Sequence, residues 1–94
     1  MTPFPTFVKD PSATLDYGVD WATRGWLAIG ETIVASDWTA PAGLTEGSSA
    51  INGGITVVWL SGGTTGQTYQ VVNQITTSAG RIDQRTIEIR VRER

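Results

Sequence analysis

Ninety-four residues with a formal charge of −2, no cysteine and no histidine confine the chain to one small domain without disulfides. They also remove the usual side chains of thiol, imidazole and zinc chemistry. A hydrophobic share of 39% with four tryptophans excludes a disordered chain, and a domain of this size buries roughly 60–65% of its unfolded surface, enough for one modest core. The N-terminal stretch MTPFPTFVKDP lacks the basic and apolar regions of a signal peptide, and no apolar run approaches the roughly 20 residues of a membrane helix. The expectation is synthesis in the cytosol, without membrane insertion.

Residues 1–8 read as an extended arm or first edge strand, because two prolines in MTPFP cannot sit inside a ladder. Residues 9–94 read as a single domain. Asp10-Pro11 is a turn starter. From Leu15 to Ala22 the chain alternates, with Leu15, Tyr17, Val19 and Trp21 on one face and Asp16, Gly18, Asp20 and Ala22 on the other, the pattern of a half-buried strand. Thr23 to Thr32 is a linker punctuated by Gly25 and Gly30, expected to pack over an open end of the domain. Ile33 to Thr39 is the next strand, and Trp38 falls out of step with Ile33 and Ala35, which predicts a bulge or a rim position for it. Leu44 to Ile51 is a weak strand suited to an edge, and Asn52-Gly53-Gly54 is a strong hairpin signal.

Three β-rich runs follow between Ile55 and Val91. In the first, Ile55, Val57 and Trp59 share one face and Val58 and Leu60 the other, so both faces call for cover, one of them by a neighbouring molecule. Ser61 to Gly66 crosses between sheets, and Gly66 followed by Tyr69 has the form of a tyrosine corner. Tyr69, Val71, Asn73, Ile75 and Thr77 then point one way. Ser78-Ala79-Gly80 turns into a last strand with Ile87, Ile89 and Val91 on its apolar face. Seven strands with turns every 8 to 12 residues predict an all-β, immunoglobulin-like antiparallel β-sandwich with Greek-key connections.

No constellation announces a reaction. The serines have no His or Cys beside them in the sequence, and the only lysine is Lys9. Ser61 to Gly66 is Gly-rich but lacks the lysine of a phosphate-binding loop and leads into a strand. Asp16 and Asp20 stand about 13 Å apart along their strand, too far for a glycosidase pair and too few for calcium. Catalytic, cofactor-binding and metal-binding residues are therefore all expected to be none, and the chain is expected not to be an enzyme. Charge is uneven: residues 1–80 carry −4 and residues 81–94 carry +2. A solvated strand face explains this, and so does a basic edge that pairs with an acidic patch on another copy. Nucleic acid is not expected as a partner, since the arginines lack interleaved aromatics.

The ordered set Lys9-Asp10-Pro11, Ala13, Leu15-Asp16-Tyr17, Asp20-Trp21, Trp38, Pro41, Gly43-Leu44, Val58-Trp59-Leu60-Ser61-Gly62-Gly63, Gly66, Tyr69, Asn73, Ile75-Thr76-Thr77, Gly80-Arg81 and Asp83 resembles a family of small tailed-bacteriophage virion proteins, the fibre–tail adaptors. The resemblance spans residues 9–92. It implies an immunoglobulin-like structural module present in several copies, joining tail and fibre components by contacts with other virion proteins and with itself, and it brings no catalytic residues. The interface groups expected are Phe4, Phe7, Trp26, Trp59, Arg90, Arg92 and Arg94. Two alternatives stay open: a capsid decoration or cement protein, and a cell-surface glycan-binding module using Trp26 or Trp38.

Overall fold

The computed structural model describes residues 5–22 and 27–93. Over these residues the chain forms seven strands: β1 (Thr6–Lys9), β2 (Leu15–Asp20), β3 (Ile33–Thr39), β4 (Leu44–Asn52), β5 (Ile55–Gly62), β6 (Thr68–Thr77) and β7 (Ile82–Val91). One sheet has the order β1-β7-β6-β3 and the other β2-β5-β4. The chain changes sheet after β1, β2, β3 and β5, and only β4–β5 and β6–β7 are hairpins. This is the Greek-key arrangement of an immunoglobulin-like sandwich. One ladder departs from the antiparallel expectation. β1 runs parallel to β7, with Thr6 opposite Glu88 and Lys9 opposite Val91. A parallel pair needs a long crossover, and here nearly the whole domain lies between the two strands.

Alternation sets the core. Tyr17, Val19, Trp21, Val58, Leu60, Tyr69, Val71, Ile75, Ile87, Ile89 and Val91 are buried between the sheets. Leu15, expected among them, begins its strand at the rim and is partly exposed. Trp38 also lies in the core. The register of β3 on β6 shifts between Ile33 and Ala35, and this bulge turns Trp38 inward in step with Ile33.

Two polar features tie the layers together. The Trp21 indole N–H is shared between Thr56 Oγ1 at 3.2 Å and Asn73 Oδ1 at 3.1 Å. The Thr56 hydroxyl donates to the same Asn73 oxygen at 2.6 Å, and the Asn73 amide donates to Ser36 Oγ and to the Asp37 carbonyl. The network thus joins β5 and the end of β2 in one sheet to β6 and β3 in the other. Every polar atom of Asn73 is used in a buried setting, where an unpaired one would cost the most. Lys9 is the second feature. It has no accessible surface, and its ammonium donates to the carbonyls of Asp10 at 2.9 Å and Gly62 at 2.7 Å. It pins the β1–β2 turn to the end of β5.

The turns follow their glycines. In the β4–β5 hairpin only Gly53 has a positive φ, 63°, the pattern of a type II′ turn. Gly54 is needed for another reason: a Cβ there would meet the Ala22 Cβ at 2.4 Å. Tyr69 makes the expected corner, its phenol oxygen accepting the Thr64 N–H at 3.0 Å.

Candidate interaction surface

Among the described residues no group of three or more His, Cys, Asp or Glu side chains could hold a metal. Among the described residues no helix is long and apolar enough to cross a membrane. What the sandwich offers is surface, in three distinct places.

The first is the outer face of the β2-β5-β4 sheet. Directly paired residues share a face in an antiparallel ladder. Trp59 pairs with Asp16, Val57 with Gly18 and Ala50, and Ile55 with Asp20 and Asn52. Ile55 and Trp59 are 41% and 42% exposed. β5 therefore raises an apolar ridge of Ile55, Val57 and Trp59, while Thr56, Val58 and Leu60 fill the core on its other side. Beside the ridge the floor is low. Gly18 has only backbone where a side chain would meet Ile55 Cγ2 and Val57 Cγ2, and Gly47 lies against the Trp59 Cβ. Both strand carboxylates, Asp16 and Asp20, stand on this face and are exposed.

The second surface is at the end of β7. Arg90 and Arg92 are exposed on either side of buried Val91. With Gly66, Gln67 and Thr68 they line a shallow pocket. The other described arginines of the basic C-terminal run are engaged. The Arg85 guanidinium lies 4.4 Å from the Trp21 ring centroid and donates to the Asp20 carbonyl, a cation–π contact. Arg81 pairs with Glu31 through Nη2 to Oε1 at 2.5 Å and Nε to Oε2 at 2.9 Å.

The third surface is the pole where that ion pair sits. Glu31 also accepts the Ala28 N–H and the Thr77 hydroxyl, so one carboxylate fastens the β2–β3 connection to the β6–β7 hairpin. The hydrogen bonds from Arg81, Thr77 and Ala28 hold its carboxyl well below the ordinary 4.5, at about 2. Ile29 and Ile82 are fully or largely exposed here.

Of the interface groups expected from the sequence, Trp59, Arg90 and Arg92 are exposed. Phe7 is half-buried and packs on the core, its ring centroid 5.4 Å from that of Tyr17. Phe4, Trp26 and Arg94 lie outside the described residues. Trp38 is buried, so it presents no face for stacking a sugar, which corrects half of the glycan alternative. Sequence reasoning missed Lys9, whose charge points inward, and Glu88, buried on the outer side of β7 where its N–H donates to the Pro5 carbonyl. It also missed that Asp16 and Asp20 share their face with the apolar ridge. The pairing of β2 with β5 puts them there, and single-strand periodicity does not show it.

No curated protein matches the chain. Residues 9–90 match the model of a family described as podophage GP4 fiber-tail adaptor protein gp77. The match runs from the end of β1 nearly to the end of β7 and so takes in both sheets, and on that span the chain belongs to the podophage GP4 fiber-tail adaptor family.

Proposed function

We propose that this protein is a non-enzymatic structural component of a podophage virion, made in the host cytoplasm, that joins tail to fibre through its outer surfaces and is present in several copies. The family match over residues 9–90 supports the reading most strongly. The sandwich adds a physical basis. Its buried Trp21–Thr56–Asn73–Ser36 network fixes the two sheets to each other, which makes a stiff block. Its exposed apolar ridge and exposed arginines are features that suit protein contacts.

Location and copy number in purified particles test the proposal. Gold-labelled antibody should decorate the tail, and quantitative mass spectrometry should count on the order of a dozen copies, a number that suits one symmetric assembly at the tail. Label spread over the head, with hundreds of copies, would instead identify a shell decoration protein.

A further inference from the structure

We infer that copies of this chain meet head to tail, the Arg90 and Arg92 end of one copy docking on the outer β2-β5-β4 face of the next, where Trp59 and Asp16 seat an arginine. The inference rests on the reading of the chain as a multi-copy virion component and names the surfaces that bring the copies together.

Register builds the seat. Asp16 and Trp59 are Cα partners across β2 and β5, and the Cβ atoms of such partners lie about 4.5–5.5 Å apart on one face. Trp59 is 42% exposed and Asp16 is exposed. An indole face beside a carboxylate gives a guanidinium both a π surface and a charge partner. Two residues along β2, Gly18 leaves a bare floor bounded by Ile55 and Val57, so a side chain reaching Asp16 meets no obstacle from its neighbour. Asp20 adds a second carboxylate at the far end of the same row.

Charge identifies the occupant. Among the described residues Asp16, Arg90 and Arg92 make no ion pair, whereas Arg81 is held by Glu31 and Arg85 lies over Trp21. Arg90 lies on β7 and Arg92 directly follows its last residue, buried Val91, with its N–H still bonded to the Lys9 carbonyl of β1, so extended backbone sends both side chains to the same side of the ladder. That side is the outer face of one sheet, and the Asp16 seat is on the outer face of the other. A folded copy cannot bring its own arginines to its own seat. The complementarity is met between copies, and because the two patches differ the contact is heterologous, which makes a ring where the rotation between copies closes and an open row where it does not.

Sedimentation velocity on the purified full chain tests this, with two double variants on exposed positions. One is the seat variant, Asp16→Ala with Trp59→Ala; the other is the tail variant, Arg90→Ala with Arg92→Ala. Circular dichroism checks that each retains the native β spectrum. The native chain should self-associate, with affinity falling about tenfold or more between low and high salt. Each variant alone should be monomeric. Mixed, they should form a 1:1 dimer and nothing larger, since one supplies a good tail and the other a good seat. A native chain that stays monomeric at millimolar concentration in low salt overturns the inference, and so does a tail variant that still self-associates. Either result leaves the virion reading standing, because labelling of particles tests that separately.

Discussion

Asn73 is the residue through which the two sheets are fixed in register. Its carbonyl oxygen takes hydrogen bonds from Trp21 and Thr56, and its amide donates to Ser36 and the Asp37 carbonyl. Asn73→Ala takes the acceptor from the buried Thr56 hydroxyl and leaves the indole N–H only its 3.2 Å bond to Thr56 Oγ1, and urea denaturation should show a loss of about 2–4 kcal/mol. Glu31 makes a different prediction. Its carboxyl titrates at about 2 in the folded chain against an ordinary 4.5. A depressed folded value means that the ionised group stabilises the fold fully above about pH 4.5, and that this contribution is lost as pH falls through about 2. The melting temperature of the native chain should exceed that of Glu31→Gln at neutral pH, and the gap should close between pH 4.5 and pH 2. A gap that is constant with pH would deny the carboxylate its role. Asn73 was legible in the sequence as an inward position of its strand. Lys9 was not. Phe7 and Lys9 flank Val8 in β1 and so share a face, but nothing in a run of residue types says that a lone ammonium will find two turn carbonyls. Burial pushes its amine down from the ordinary value, partly offset by the Asp10 carboxylate.

At the scale of elements, seven strands and their turns were readable, because β-branched and aromatic residues recur at period two and glycines mark the reversals. Tyr69 after Gly66 was readable for the same kind of reason, a local spacing with one geometric use. Three things depended on partners distant in sequence. The bulge at Val34 was visible only as Trp38 being out of step, and its consequence, a buried Trp38, follows from the β6 register. The parallel pairing of β1 with β7 has no local signal. Gly54 looked like the second member of a turn, yet its work is to admit Ala22. The cost of Gly54→Ala should be about 1–3 kcal/mol by chemical denaturation. Adding Ala22→Gly should recover much of that cost, since the two Cβ atoms are the clash. If the double variant is simply the sum of the two single variants, the close approach is not the reason for the glycine.

At the scale of the molecule, the same residue type serves the inside and the outside, and the sheets decide which. Trp21 is fully buried, bonded and covered by Arg85; Trp59 stands half out of a sheet face. Trp21→Ala should cost about 3–5 kcal/mol or abolish folding, while Trp59→Ala should change stability by no more than about 1 kcal/mol. Calorimetry on the two variants separates a core tryptophan from a surface one. A large loss at Trp59 would make the outer ridge a part of the fold and leave it little to offer a partner.

In the proposed role this sandwich holds tail and fibre together by its surfaces. The most direct measurement is to assemble particles without the chain and image them before and after the purified protein and fibre are added back. Particles lacking it should carry tails without fibres, and the native protein should restore fibre attachment. Particles that carry a full set of fibres in its absence would contradict the account.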